Sequence, residues 1–169
     1  MALKADRIEE STDISHFYTA GTATRGGVVV LDAVNASGAA MDQGANKVAY
    51  AQATAVAASP SVPVGILLND VVDKDLTRTH LNQYKDEVQK GGKVTVMTRG
   101  QVNTSNLTGT PVPGEVAYAD QVTAGNITNA TALFGAGAVS GQMAIGRFLS
   151  GKDSDGYAKV HVNLPNHGA

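Results

Sequence analysis

Apolar residues in this chain fall into short blocks separated by glycine, proline and asparagine, and the blocks read as strands. After Gly26-Gly27 comes the unbroken run Val28-Val29-Val30-Leu31, the signature of a buried strand. A turn at Asn35 to Gly38 and a strand over Lys47 to Ala51 follow. A small-residue connector (Ala53 to Pro63) then leads into Val64-Gly65-Ile66-Leu67-Leu68. Gly91-Gly92 opens the alternating stretch Lys93-Val94-Thr95-Val96-Met97, and the turn Pro113-Gly114 precedes Glu115 to Ala119. The tract from Asp120 to Gly141 reads as loops. A final hairpin joins Ala144–Leu149 to Ala158–Leu164 through Asp155-Gly156, a dipeptide suited to a tight turn.

Two stretches depart from this rhythm. Residues 1–25 lack a clear period and are predicted to form an N-terminal arm, with one short turn of helix near Ile8. The single β domain is then 26–169. Asp70 to Lys90 is polar and charged, and its Leu76, His80, Leu81, Tyr84 and Val88 fit a helix and an extended surface loop equally well. The predicted class is all-β: a compact barrel or sandwich with an extended arm and long loops. The order Gly-Gly strand, Val-Ala-Tyr-Ala strand and apolar strand recurs in the two halves, which suggests two related β modules. Biased composition produces such matches by coincidence as well.

Composition narrows the function. The 169 residues suffice for one domain with a real core, and there is no cysteine to supply a thiolate, a disulfide or a Cys-based zinc site. A net charge of −2 with the thirteen basic residues dispersed gives no footprint for nucleic acid. No apolar run is long enough to span a membrane, and the first ten residues carry acids where a signal peptide needs an apolar stretch. Secretion by that route is therefore not expected. The five Asn-x-Ser/Thr sequons read as chance occurrences in Asn/Thr-rich loops. Aromatic residues make up only 5% and Trp is absent, which disfavours a sugar-stacking surface.

Catalytic chemistry has little to stand on. His16, His80, His161 and His167 are widely separated and form no metal-ligand pair, and His161 alternates with Val160 and Val162 as an outward strand residue would. His80, near Asp75, Arg78 and Asp86, is the best enzymatic candidate, yet a solvated polar segment explains it better. Lys152 to Gly156 resembles the start of a calcium loop but lacks the completing glutamate. Asp70, Asp73 and Asp75 lack the spacing of a known site, and there is no phosphate loop or nucleophile elbow. No catalytic residue, metal ligand or cofactor is assigned.

Val64-Gly-Ile-Leu-Leu-Asn-Asp-Val-Val-Asp, His80 to Val96, and the ending Ile145-Gly-Arg-Phe-Leu-Ser-Gly-Lys-Asp-Ser-Asp-Gly-Tyr-Ala-Lys-Val-His-Val-Asn-Leu164 together look like virion proteins of tailed phages. The chain from Gly26 to Leu164 resembles the small head decoration, or cement, proteins, particularly of phages that infect cyanobacteria. That resemblance implies a β-barrel or sandwich on the outer face of the expanded head, bridging major capsid protein subunits, assembled in the host cytoplasm and often oligomeric (trimer or dimer). It implies neither a nucleic-acid nor a membrane partner. The family does not fix its contacts at particular residues. From the character of the arm itself, Ile8, Ile14, Phe17 and Tyr18 are the expected capsid-binding anchors. Competing expectations are a head fibre base, a tail component, or a carbohydrate- or host-surface-binding module.

Overall fold

The computed structural model describes residues 2–18, 20–31, 46–50, 62–73, 86–120, 123–129 and 144–164. Those residues contain strands and turns and no helix. The strands are β1 (Ile8–Asp13), β2 (Phe17–Tyr18), β3 (Val28–Leu31), β4 (Lys47–Tyr50), β5 (Pro63–Leu67), β6 (Asp70–Val72) and β7 (Glu87–Gln89). They continue with β8 (Val96–Thr104), β9 (Leu107–Thr108), β10 (Val116–Ala119), β11 (Ile127–Thr128), β12 (Ala144–Phe148) and β13 (Ala158–Asn163). Eleven of them make one mixed sheet in the order β2-β4-β3-β5-β8-β13-β12-β10-β11-β9, with β1 added beside β8; β6 and β7 form a separate parallel pair. The path ends at β2 and β9 without closing, so the sheet is not a barrel, and the sandwich-like form of the all-β prediction is the one compatible with it.

β8 ties the two ends of the sheet together. Met97 pairs with Ile66 of β5 and with Thr12 of β1, and Gly100 pairs with Val162 of β13 and with Glu9 of β1. Each strand residue has only two edges for ladder bonds. β5 and β13 therefore share one edge of β8 in succession, and β1 occupies the other.

Two apolar clusters explain the strand sequences. Val28, Val30, Ile66, Leu68 and Met97 belong to the larger one, which also takes in Val102, Ile145, Phe148, Val160 and Val162. Their chain neighbours Val29, Leu67 and Val96 belong to the smaller one, with Tyr18, Val48, Val71 and Val94. Successive side chains of a strand face opposite ways. β3, β5 and the start of β8 are thus buried on both faces, which requires the unbroken Val-Val-Val and Ile-Leu-Leu runs. β13 is covered on one face and alternates, with Val160 and Val162 inside and Lys159 and His161 part-exposed. Ile145 is an extra residue opposite β10, and this bulge turns both Ile145 and Phe148 into the core.

The structure corrects several expectations. The helical turn near Ile8 is instead β1; Ser11, Thr12 and Asp13 are weak helix formers, and the free edge of β8 supplies ladder partners that an isolated turn lacks. The polar segment does not continue a helix to Val88, because β7 places Val88 against Val71 of β6. Leu76, His80, Leu81 and Tyr84 lie outside the described residues, as do the Asn35–Gly38 turn and most of the Ala53–Pro63 and Asp120–Gly141 tracts. The strand expected to end at Met97 runs on to Thr104, with Gly100, Val102 and Thr104 buried in alternation. The repeated strand chemistry of the two halves does not become a repeated topology. β3 pairs directly with β4 and β5, whereas β13 separates β8 from β12 and β10.

Candidate capsid-contact surface

Residues 2–18 lie along β8 and its lead-in. Leu3 bridges Thr104, the Lys4 amide donates to the Asn103 carbonyl, β1 continues the ladder down to Val96, and Phe17 bridges Lys93. Anchors sit at both ends of this strap. Leu3 is buried, and the single proton of the buried Thr104 hydroxyl is shared between the carbonyls of Ala2 and Gly26, each 3.0 Å away. At the other end Phe17 and Tyr18 form β2, backed by Lys47 and Val48 of β4. Tyr18 meets Tyr50 edge to face at 5.9 Å. The Tyr50 ring covers Gly27 and Gly125, where a Cβ would strike it, and its hydroxyl donates to the Thr24 carbonyl. Burial pushes the Tyr50 phenol up.

Between these anchors, β1 has no buried residue at all. The four anchors expected from the sequence therefore divide. Ile8 (51% exposed) and Ile14 (63%) stand at the surface at the two ends of β1, while Phe17 (7%) and Tyr18 (1%) are inside. The strand sits close on β8 because Gly100 has no side chain. Its φ is +144°, and a Cβ there would collide with the Ile8 carbonyl oxygen.

Charge on the strap is arranged in short-range pairs. Arg7 bonds Glu9, Arg99 lies 3.6 Å from Glu10, and His16 lies 3.4 Å from Asp13. Hydrogen bonds from the Ser15 side chain and from its amide hold the Asp13 carboxyl below its ordinary value, with His16 adding to the effect. Lys4 reaches the closing hairpin, where it bonds Asp153 at 2.8 Å and caps the Tyr157 ring at 4.3 Å. Lys4 and the Tyr157 amide together lower the Asp153 pKa, and Asp153 in turn raises that of Lys4. One Asp153 oxygen is taken by Lys4 and the other by the amides of Asp155 and Tyr157. The calcium-like sequence is thus a hairpin cap.

A shallow depression of about 420 Å³ lies beside the strap, lined by Ala2, Thr22, Arg25, Asp70, Val71 and Glu87 among others. Arg25 crosses it to bond Asp70 at 3.0 Å and also Asp86 at 2.5 Å. Burial works against the Arg25 charge, but the two carboxylates outweigh it and raise its pKa. This is a self-satisfied ion-pair network with no nucleophile in it. Among the described residues, no three His, Asp or Glu side chains are grouped to hold a metal ion. His80, Asp75 and Arg78 lie outside the described residues, and His161 stands across from Arg147 and Gln101 on the sheet.

Other exposed apolar side chains are Leu31 with Val62, joined by a backbone bond, and Val112, Val116 and Leu149 around the Pro113-Gly114 turn. Ile8 and Ile14, expected contacts from the sequence, are exposed; the acidic strand beside them and the Lys4–Asp153–Tyr157 latch were not anticipated. Ile-Glu-Glu-Ser-Thr-Asp has no apolar alternation to reveal a strand, and only the flanking apolar anchors could have marked it. No curated protein matches the chain. The family model for structural cement protein (E217 gp24/Pam3 gp6) matches residues 9–163, which spans β1 from its second residue through β13. The match covers most of the chain and the whole of its sheet except the first residue of β1, and the chain belongs to the phage structural cement protein family.

Proposed function

We propose that this protein binds the outer surface of the expanded phage head and stabilises the major capsid protein lattice against the pressure of packaged DNA. The observation that carries this reading is the family match over residues 9–163, in a virion structural family. A shell under internal pressure is strained at the seams between subunits. A ligand that binds only the assembled, expanded lattice shifts the balance toward it, and many copies of a modest contact suffice. Ile8 and Ile14 are the apolar contacts of this proposal, with Phe17 and Tyr18 fixing the strap behind them. No catalytic step and no cofactor enters it.

Co-sedimentation of the purified protein with expanded, undecorated heads and with unexpanded procapsids tests the reading. Saturable binding to expanded heads alone, at a fixed ratio to capsid subunits, is expected. Absence of binding to both particles would overturn it and redirect attention to tail or fibre roles.

A further inference from the structure

Strands β10, β12, β13 and β8 bury one face in the larger apolar cluster, through Ala117, Phe148, Val160 and Val102. Their other face is open. The register of the sheet lines up one row across it: Val116, Arg147, His161, Gln101 and, on β1, Ile8. Residues paired across strands share a face, and at the usual strand spacing this row spans about 19 Å. Lys159, two residues before His161, stands on the same face, and its carbonyl accepts the Leu149 amide. Val116, Leu149, Ile8 and Arg147 are exposed, and His161, Gln101 and Lys159 are part-exposed.

The acids around this face are already engaged. Glu9 bonds Arg7, Glu10 lies by Arg99, Asp6 accepts from Asn103, and Glu115 accepts from the Val112 amide and from Asn129. Arg147 and Lys159, by contrast, have no carboxylate partner among the described residues. The uncompensated charge of the face is therefore positive. Covering it with a neutral surface would strand both cations away from water at a large cost, whereas a surface bearing carboxylates removes that cost and adds selectivity. A second copy docking by this face about a two-fold axis sets Arg147 and Lys159 against Arg147 and Lys159, with no free carboxylate to place opposite them. Two such cations on a chain of net charge −2 make no footprint for nucleic acid. A flat sheet face also meets another broad surface rather than a threaded chain.

We infer that the open face of β10, β12, β13 and β8, centred on Arg147 and Lys159, docks on an acidic patch of the capsid protein, with Val116, Leu149 and Ile8 as its apolar border. Docking through this face rests on the capsid-binding reading above and deepens it, since Ile8 joins the face to the strap contact.

Acylation of lysines in the full chain, free and bound to expanded heads and read by mass spectrometry, probes the face in the wild type. Labelling of Lys159 is expected to fall about fivefold or more on binding, as for a side chain covered by an interface. Labelling of the exposed Lys90, beside the separate β6–β7 pair, is expected to stay the same. Arg147→Glu and Lys90→Glu change the net charge equally, so comparing them separates the face from overall charge. Arg147→Glu is expected to keep its circular dichroism spectrum and lose about tenfold or more in head affinity, with Lys90→Glu within about twofold of wild type. Added salt is expected to weaken the wild type more steeply than Arg147→Glu. Wild-type binding with unchanged Lys159 labelling, and equal affinities of the two variants, would overturn this face while leaving capsid binding intact. Protection of Lys159 by self-association of the free protein would overturn it in favour of a second copy, and duplex DNA binding lost in Arg147→Glu would overturn it in favour of nucleic acid. Failure of the wild type to bind heads would remove both the docking face and the reading beneath it.

Discussion

β1 and β8 lie side by side and share a ladder, yet they are opposite in every other respect. Among the described residues β8 has three strand partners, with Val96, Met97, Gly100, Val102 and Thr104 buried, whereas β1 has one partner and no buried residue. Removing β8 would separate the two halves of the sheet. Removing β1 would leave both cores with their own side chains in place and only open an edge. The contrast teaches that a strand can belong to a fold through its backbone ladder, without burying a single side chain of its own.

The strongest way to break the comparison is to damage the core that β8 crosses. Phe148→Ala, at a fully buried position, is expected to cost about 3–5 kcal/mol in urea unfolding. Ile14→Ala, exposed beside β1, is expected to change stability by no more than about 0.5 kcal/mol. Equal losses at the two sites would show that the strap is part of the cooperative core. Gly100→Val addresses the join between the strands. The positive φ and the collision with the Ile8 carbonyl predict a loss of about 1–3 kcal/mol, with faster amide exchange in β1 than in β13. Unchanged exchange in β1 would mean that the strap is not seated by this glycine.

A smaller effect is expected at the ion-pair network behind the strap. Arg25→Met leaves the part-buried Asp70 without its cationic partner, and about 1–2 kcal/mol should be lost, read by thermal or urea unfolding. The smallest effect is the pH response of the Lys4–Asp153 latch. Asp153 has its pKa lowered in the fold, so its contribution is present above the ordinary carboxylate value of about 3.9 and fades as pH falls through the folded value. Lys4 has its pKa raised, so its share is present below the ordinary lysine value of about 10.4 and is lost as pH rises through the folded value. The protection factors of amides at residues 3–6, taken relative to their intrinsic exchange rates at each pH, should therefore be highest between those limits and fall on both sides. A flat profile would show that the latch does not hold the strap.

The same contrast explains what the sequence could show. Val28–Leu31 and Val64–Leu68 were legible because burial on both faces demands uninterrupted apolar residues, and the closing hairpin was legible from alternation and Asp155-Gly156. β8 beyond Met97 was not: Thr98, Arg99, Gln101 and Asn103 hide the alternation of small buried residues at Gly100, Val102 and Thr104. β1 carried no hydrophobic signal because its place is set by the edge of β8 and by anchors outside it. Ile8 and Ile14 could be singled out as apolar residues in a polar segment. That Phe17 and Tyr18 turn inward depends on Lys47, Val48 and Gly92, which only the fold brings near.

The most direct measurement is a cryo-electron microscopy reconstruction of expanded heads decorated with this protein. The account predicts density for the β sheet on the outer face, spanning a seam between capsid subunits, with β1 and its flanking Ile8 and Ile14 turned to the shell. Density with β1 facing solvent, or the protein lying inside the shell, would contradict it.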